Sequence, residues 1–260
     1  MIEISKKITT NVGRTNAQFG LIKENDRIMI GFSGGKDSLT LLHTLNRMQK
    51  KAPFKFDFKA VTITYGMGEQ IEFLSNHCKE HGIEHEIIDT QIFDLAGEKI
   101  RKNSSFCSFF SRMRRGYLYT TALEQGYNKI ALGHHLDDAM ESYFMNLFYN
   151  GTMRTMPPIY KASNGLEVIR PLIFCRERQL RAFADSNEIR VIGDEACPGL
   201  RFDVKMPHAR ATTKELLAKL EEQNPKIFVS MKAAFSNIQL PTFFYKDLKD
   251  IKLNIEDENI

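Results

Sequence analysis

One short segment of the chain has the residue types and spacing to bind phosphate. It comprises Ser33, Gly34, Gly35, Lys36, Asp37 and Ser38. The two glycines let backbone N–H groups approach an anion, and the start of a following helix adds partial positive charge. The serines and the lysine add donors and charge, whereas the aspartate would repel phosphate unless it holds Mg²⁺ or caps the helix. We therefore predict a phosphate-binding turn at residues 33–38.

A second polar segment, at residues 133–138, combines two histidines with two carboxylates. It reads Gly-His-His-Leu-Asp-Asp and follows the apolar residues 129–132. Asp137 or Asp138 could orient Mg²⁺ or accept a proton, and either could instead cap the helix that follows. The sequence does not decide which of the two acts. Gly133 and His134 precede them and are candidates for nucleotide contacts.

The elements that must position both segments alternate between strand and helix. Strands are predicted at 27–32, 59–64, 84–88 and 129–132, and near Val168. Helices are predicted at 3–19, 39–49, 70–81, 111–125, 177–187, 213–222 and 226–237. This order predicts an α/β fold with a doubly wound parallel sheet and an appended α-rich C-terminal part. The loops after residues 32, 64, 88 and 132 should then face one cleft.

Composition limits the class of protein further. The chain has 260 residues, 42% of them hydrophobic, and a net charge of +4 from 36 basic and 32 acidic residues. These values fit one globular domain with terminal additions. No apolar run approaches the roughly 20 residues of a membrane helix, and the first residues lack a secretory signal. We expect a cytoplasmic protein with no membrane partner.

Residues 33–38, in their strand–turn–helix context, resemble the PP-loop of the ATP pyrophosphatases. A Walker A motif would instead need glycine in place of Ile30 and Ser or Thr in place of Asp37. The resemblance implies cleavage of ATP between its α and β phosphates, with adenylation of a substrate. It implies ATP and Mg²⁺ as cofactors.

Further motifs are similar to one family within this class, the tRNA 2-thiocytidine synthetases (TtcA family). They are the segments 112–119, 132–138, 146–151, 156–158, 169–172 and 175–177. The similarity extends from about Asn11 to Phe243. It implies ATP-dependent sulfur insertion at C2 of a cytidine in the anticodon loop of tRNA, with tRNA and a sulfur donor protein as partners. A homodimer is compatible with the sequence, which does not specify an oligomeric state.

The same resemblance implies an iron–sulfur cluster, held by a Cys-x-x-Cys pair and a third, downstream cysteine. Cys107 and Cys197 match the first and third ligands, while Phe110 occupies the second position. A [4Fe-4S] cluster would then need another ligand, for which the alternatives are Cys78, Cys175, Asp194, His208 or a partner chain. In a second interpretation, one of Cys107 and Cys197 carries a persulfide that the other attacks.

Basic and aromatic residues alternate around Cys107. Arg112, Arg114 and Arg115 follow it closely, with Phe109 and Phe110 between. Basic side chains bind the phosphate backbone of nucleic acids, and aromatic rings stack on bases. The three arginines are therefore the predicted RNA-binding residues.

The leading hypothesis is an ATP-dependent tRNA sulfurtransferase in which residues 33–38 bind pyrophosphate and Cys107 and Cys197 handle sulfur. One alternative retains adenylation but uses a nitrogen nucleophile, as in the lysidine synthetases, and only Phe110 supports it. Another alternative is a non-catalytic, nucleotide-responsive RNA-binding protein. We expect a helical lead-in at 1–24, the PP-loop ATP-binding domain at 25–200, C-terminal helices at 201–245 and a flexible charged tail at 246–260.

Overall fold

The computed structural model describes residues 2–99, 106–193, 208–239 and 242–243. In this part of the chain, six strands form one sheet in the order β3-β2-β1-β4-β6-β5. The strands are β1 (Arg27–Gly31), β2 (Asp57–Ile63), β3 (His85–Ile88), β4 (Lys129–Ala131), β5 (Ile159–Lys161) and β6 (Glu167–Ile169). The five predicted strands are confirmed. The predicted charged tail at 246–260 and Cys197 lie outside the described residues.

All neighbouring strands are parallel except one edge pair. β5 pairs antiparallel with β6, and no strand was predicted at its residues from the sequence. The strand is only three residues long and follows Pro157 and Pro158, so it has little hydrophobic pattern of its own. The expectation of a parallel sheet holds for the other five strands.

The described residues contain nine helices. They are α1 (Lys6–Phe19), α2 (Lys36–Lys51), α3 (Glu72–Glu80), α4 (Ile92–Lys99), α5 (Phe106–Glu124), α6 (Leu136–Asn150), α7 (Glu177–Ser186), α8 (His208–Gln223) and α9 (Ile227–Ala234). Only α4 was not predicted, since α6 is the helix that was expected to follow Asp137 and Asp138. The chain divides into two compact units, Met1–Glu215 and Leu216–Ile260, and the boundary falls within α8. None of the described helices is long and apolar enough to cross a bilayer.

The sheet is buried on both faces, as a parallel sheet requires. Ile28 and Ile30 of β1 point to one face, where they join the core formed by α1, α2, α3 and α7. Met29, between them, points to the other face and joins the core formed by α4 and α5. Successive strand residues alternate between faces, so these two apolar clusters are separated by the sheet itself.

A buried lysine at the amino end of β4 joins three segments of the chain. Lys129, the first residue of β4, is 1% exposed, and its amine donates to the carbonyl oxygen of Leu21 at 2.8 Å. The same amine lies 3.0 Å from the carboxylates of Asp26 and Glu167. A charge this deeply buried is tolerated only when it is paired and hydrogen-bonded, as it is here.

Replacing this lysine by an apolar residue should therefore destabilise the fold. In the Lys129→Met variant the Asp26 carboxylate stays buried without its counter-charge, and we expect the free energy of unfolding to fall by about 3 kcal/mol. Urea denaturation followed by circular dichroism measures this change. The matched control is Lys161→Met at an exposed position of β5, which should change stability by about 0.5 kcal/mol or less. Equal effects of the two substitutions would contradict the assignment.

Candidate active site

The phosphate-binding turn lies where β1 ends and α2 begins. The chain order of the sheet reverses here, because β2 and β3 lie on one side of β1 and β4 lies on the other. Such a switch point, at the carboxyl ends of parallel strands, is where α/β proteins bind ligands. The loop after β4 carries the second predicted segment to the same place, as expected from the sequence.

The conformation of the turn depends on its first glycine. Gly34 has φ +77°, and a Cβ atom there would lie 2.7 Å from Cδ1 of Ile192. The Ile192 N–H donates to the carbonyl oxygen of Gly34 at 2.8 Å, so residue 192 closes over the turn. The Ser38 hydroxyl donates to the carbonyl oxygen of Gly35 at 3.0 Å and accepts from the Ser33 hydroxyl at 3.2 Å. These contacts fix the turn.

Helix α2 starts directly from this turn without a side-chain cap. Its N-cap residue is Gly35, which has no side chain to accept from the first-turn N–H groups. The N–H groups at the start of a helix and the helix dipole together form an anion site. The turn at 33–38 therefore presents free main-chain N–H groups in an arrangement suited to a phosphate group.

The loop after β4 contacts the turn without any space for a side chain. A Cβ atom at Gly133 would lie 3.0 Å from the carbonyl carbon of Asp37 and 3.1 Å from both the Asp37 carbonyl oxygen and the Ser38 nitrogen. Glycine is therefore required here by close approach of two backbones. This contact brings together the two segments that the sequence analysis singled out.

The lysine of the turn is held between two carboxylates. The Lys36 amine lies 3.3 Å from Asp37 and 3.2 Å from Glu177, the first residue of α7. Glu177 also accepts from the Lys214 amine at 2.8 Å. Although burial alone would raise the pKa of Glu177, the hydrogen bond from Lys214 and the charge of Lys36 lower it to about 2. This network fixes the position of the Lys36 charge.

Asp37 differs from the other carboxylates of the site. Its Oδ1 atom is buried and has no hydrogen-bond partner among the described residues. Burial raises the pKa of Asp37, although His135 and Lys36 act in the opposite direction. A buried carboxylate oxygen beside a phosphate site has the chemistry of a ligand for a hard cation such as Mg²⁺.

Both carboxylates of the second segment cap helices. Asp138 accepts from the backbone N–H of His135 at 3.0 Å, and the His135 ring accepts from the Asp138 N–H, which closes a capping box on α6. Asp137 accepts from the N–H of Glu177 at 2.7 Å and from Arg176 at 3.1 Å, so it fastens the start of α7. Asp138 thus takes part in capping the helix that follows, as the sequence allowed, whereas Asp137 caps α7 instead.

Arg210 of α8 also reaches this segment. Its guanidinium donates to Asp138 and, at 2.7 Å, to the buried Glu141. No role for Arg210, Glu141 or Glu177 was predicted from the sequence. Nothing in the spacing of these residues signals their proximity, because Arg210 is 72 residues from Asp138.

His134, in the same segment, is a neutral ring at pH 7. Its Nδ1 atom accepts from Nε of Arg170 at 3.2 Å. Burial and the charge of Arg170 lower the pKa of His134 to about 4. The guanidinium of Arg170 also lies over the Tyr160 ring, 5.2 Å from its centre, and donates to the carbonyl oxygen of Pro157 at 2.7 Å. His134 is therefore suited to hydrogen bonding and not to carrying charge.

A cavity of about 790 Å³ opens at the carboxyl ends of β2 and β3. Thr64, Asp89 and Thr90 line it at the strand ends, and Glu72 lines it from the start of α3. Leu74 of α3 lies about 3.0 Å from the position of a Cβ atom at Gly34, so this helix also borders the phosphate-binding turn. The volume is in the range of small-molecule sites.

The predicted RNA-binding arginines differ in their surroundings. Arg112 and Arg115 are exposed on α5. Arg114 is half-buried, donates to the Tyr65 hydroxyl at 2.7 Å and lies 5.3 Å from the centre of the same ring. Arg112 and Arg115 can therefore contact an external polyanion, while Arg114 is held by the protein.

The structure narrows the alternatives for the cysteines. Cys78 and Cys175 are fully buried in the core on the α2 face of the sheet, and burial raises the pKa of each thiol to about 12. Cys107 lies in the first turn of α5, which packs on the opposite face. The sheet therefore separates Cys78 and Cys175 from the helix that carries Cys107, which argues against these two alternatives as cluster ligands. The side chains of Cys107 and His208, and all of Asp194, lie outside the described residues.

Phe110 is part of the apolar core. It is 3% exposed, with ring centres of Tyr65, Phe109 and Phe93 at 5.5, 5.7 and 6.4 Å. Aromatic pairs at these distances stabilise one another beyond the burial of their area. The second position of the Cys107–Phe110 spacing is thus occupied by a packing residue that offers no metal ligand.

Comparison with known proteins first defines the class. The sequence profile of the PP-loop domain matches residues 4–205, which include the turn at 33–38. The U34-tRNA thiolase NcsA of Methanococcus maripaludis, solved with its [4Fe-4S] cluster, has the same fold with a TM-score of 0.71 and 23% identity, over 89% of this chain and 77% of that one. An NH₃-dependent NAD synthetase of Campylobacter jejuni shares the fold with a TM-score of 0.51 and 16% identity, over 91% of this chain and 93% of that one.

Sequence relatives then define the family. The tRNA-cytidine(32) 2-sulfurtransferase of Geobacter metallireducens is 44% identical over 237 residues, which is 90% of each chain. That of Geobacter sulfurreducens is 42% identical over 236 residues, again 90% of each. The chain belongs to this family of PP-loop enzymes, and the resemblance inferred from its motifs is confirmed.

The contact of Gly133 with the turn leads to a test by substitution. In the Gly133→Ala variant the new methyl group must displace the backbone of Asp37 and Ser38, which should misalign the N–H groups of the turn. We expect ATP binding to weaken by about tenfold or more, equivalent to the loss of a hydrogen bond. Isothermal titration calorimetry with ATP measures this. The control is Gly116→Ala on α5, where a Cβ atom meets nothing within 4 Å, and an unchanged affinity in Gly133→Ala would refute the argument.

The ion pairs of Glu177 predict a pH dependence of stability. The pKa of Glu177 is about 2 in the folded protein, and its ordinary value is 4.5. Its contribution to the free energy of unfolding is therefore complete above pH 4.5 and is lost as the pH falls toward 2. At neutral pH we expect Glu177→Gln to be less stable by about 2 kcal/mol. The difference from wild type should shrink between pH 4.5 and 2. Urea denaturation across this range measures it, with the exposed Glu124→Gln as the control, and a constant difference would argue against the pairing.

Proposed function

We propose that this protein uses ATP to replace the C2 oxygen of a cytidine in the anticodon loop of tRNA by sulfur, which yields 2-thiocytidine. The observation that carries the proposal is the 44% identity, over 90% of both chains, to an enzyme named tRNA-cytidine(32) 2-sulfurtransferase. The intact turn at 33–38 supports it, because this reaction needs a pyrophosphate site. The proposed partners are tRNA and a sulfur donor protein.

Adenylation is the step that the residues of the turn would assist. A carbonyl oxygen cannot leave as oxide, so the cytidine O2 must first attack the α-phosphate of ATP and release pyrophosphate. The N–H groups at the start of α2 would hold the departing phosphates. Lys36, fixed between Asp37 and Glu177, would place a positive charge beside them. The outer sulfur of a persulfide on Cys107, supplied by the sulfur donor, then attacks C2, and AMP leaves. The Cys197 thiolate attacks the Cys107 sulfur of the resulting adduct, which frees 2-thiocytidine and leaves a Cys107–Cys197 disulfide for an external thiol to reduce.

Asp37 is the residue that we propose as a ligand for Mg²⁺. Its Oδ1 atom is buried without a hydrogen-bond partner in the described residues, and it adjoins the phosphate site. A bound Mg²⁺ ion would neutralise charge that develops on the phosphates. Asp137 and Asp138 support this arrangement by fixing α7 and α6, and either remains a candidate for receiving a proton.

Cys107 is the residue that we propose for sulfur transfer. It lies in the first turn of α5, and the N-terminus of a helix favours a thiolate. Cys197 is the proposed second thiol. The described residues do not fit a cluster with three thiolates, since Phe110 is a buried aromatic side chain and Cys78 and Cys175 lie across the sheet. We therefore derive no step through a cluster.

The exposed arginines of α5 are the proposed contacts for tRNA phosphates. Arg112 and Arg115 extend from the helix that begins next to Cys107. Arg114, bound to Tyr65, would orient this face rather than contact the tRNA directly. The target base must leave its stack to reach the ATP site, and this costs least in a single-stranded loop.

Two substitutions separate adenylation from sulfur transfer. Lys36→Ala should abolish both tRNA-dependent pyrophosphate release and 2-thiocytidine formation, with a loss of about 10²-fold or more, because the charge beside the leaving group is gone. Cys107→Ala should retain pyrophosphate release and lose only 2-thiocytidine. A pyrophosphate assay and mass spectrometry of tRNA nucleosides measure the two steps, with Cys78→Ser as the control for loss of a thiol distant from the site.

The outcomes distinguish the proposed function from its competitors. If Cys107→Ala/Cys197→Ala still modifies tRNA, the nucleophile is not a sulfur species of these cysteines, and a lysidine-like reaction with an amine becomes the better hypothesis. If wild-type protein releases no pyrophosphate with tRNA, it is a nucleotide-responsive RNA-binding protein. Nucleosides from cells with and without the gene identify the modified base directly.

A further inference from the structure

Three histidines form a cluster that the proposed reaction does not use. His43 lies on α2, and His77 and His81 lie at the end of α3. One donor nitrogen from each ring lies within 4.8 Å of the other two. His43 is buried, whereas His77 and His81 are half-buried, so the cluster is open to solvent on one side.

The spacing of two of these residues is that of a helical metal-binding pair. His77 and His81 are four residues apart, so they lie on one face of the chain at the end of α3. Nδ1 of His81 lies 2.8 Å from the carbonyl oxygen of His77. A carbonyl oxygen can only accept, so Nδ1 carries the proton and Nε2 has a free lone pair. Metal-binding histidines are usually oriented by such a hydrogen bond from the other ring nitrogen.

The ring of His43 on α2 already contacts one of these two rings. Nε2 of His43 and Nε2 of His77 are 2.7 Å apart, the distance of a hydrogen bond. Two nitrogens that bind Zn²⁺ tetrahedrally at about 2.0–2.1 Å lie about 3.3 Å apart. Metal binding would therefore replace this hydrogen bond and lengthen the distance between the two nitrogens by roughly 0.6 Å.

The charges around the cluster are mixed. His81 is the C-cap of α3, where the partial negative charge of the helix end favours a cation. The nearby carboxylate of Glu80 adds to this, and the Lys50 amine opposes it. Burial and the neighbouring rings lower the pKa of His43 to about 3, so its ring is neutral at pH 7.

We propose that His43, His77 and His81 bind one divalent transition-metal ion, with Zn²⁺ as the expected occupant and water as the fourth ligand. Three imidazoles in a solvent-accessible cluster match the ligand preference of this ion. The site is distinct from the phosphate-binding turn, since His43 lies seven residues beyond Lys36, or about 10 Å along α2. The ion would join α3 to α2 and so hold Glu72, the first residue of α3, at the wall of the cavity.

Zinc binding to the full-length protein tests the proposal without any measurement of activity. We expect calorimetry to detect one Zn²⁺ in the wild type, with a dissociation constant below about 1 μM, that is weakened about 100-fold in His77→Asn and in His81→Asn. Lys79→Asn, on the same helix but outside the cluster, is the matched control and should bind as the wild type does. Circular dichroism verifies that each variant is folded.

Cobalt spectra separate this site from the cysteines. The difference between the Co²⁺ spectra of wild type and His77→Asn should contain d–d bands of a four-coordinate ion without the charge-transfer band that a thiolate ligand gives. A wild type that binds Zn²⁺ only at millimolar concentration, or variants with unchanged stoichiometry and affinity, would overturn the proposal. In that case the contact between His43 and His77 is an ordinary hydrogen bond between neutral rings.

Discussion

The pairing of β1 with β4 is the constraint on which the candidate site depends. Three residue pairs join these strands in parallel, so the segments that follow them leave the sheet at the same edge. One then forms the turn at 33–38 and the other passes Gly133 against it with no space for a Cβ atom. Two segments that are 100 residues apart thereby become one surface. A shift in their register would separate the anion site from its neighbours.

Ion pairs extend this arrangement to two helices from the second half of the first unit. Asp137 caps α7, and Glu177 at the start of α7 returns to Lys36 of the turn. Arg210 and Lys214 of α8 add contacts to Asp138 and Glu177. Carboxylates dominate a region that is suited to phosphates, and most of them are neutralised by these cations. Asp37 alone among them has a buried oxygen left without a hydrogen bond in the described residues, which is why we propose it as the ligand for a divalent ion.

Much of this architecture follows from local sequence patterns. The turn at 33–38 was predictable because glycine, lysine and serine directly after an apolar strand are typical of an anion-binding turn. The strands were predictable from their runs of Ile and Val. The capping roles of Asp137 and Asp138 were available only as alternatives, since their partners are set by packing. Arg210 and the cluster containing His43 depend on tertiary proximity, which residue spacing does not encode. β5 was missed because three residues after two prolines carry no strand period.

The burial of Phe110 bears on how such a chain can change over evolutionary time. Replacing a buried phenylalanine by a small residue leaves a void and costs roughly 3–5 kcal/mol, so a cysteine introduced at this position alone would meet a stability barrier. Tyr65, which packs on Phe110, also binds Arg114, so the void would border a residue on the proposed tRNA-contacting face. Neighbouring side chains would have to be replaced by larger ones beforehand or at the same time, so that they fill the void. A change of this position to give a Cys-x-x-Cys pair would therefore require several coordinated substitutions rather than one.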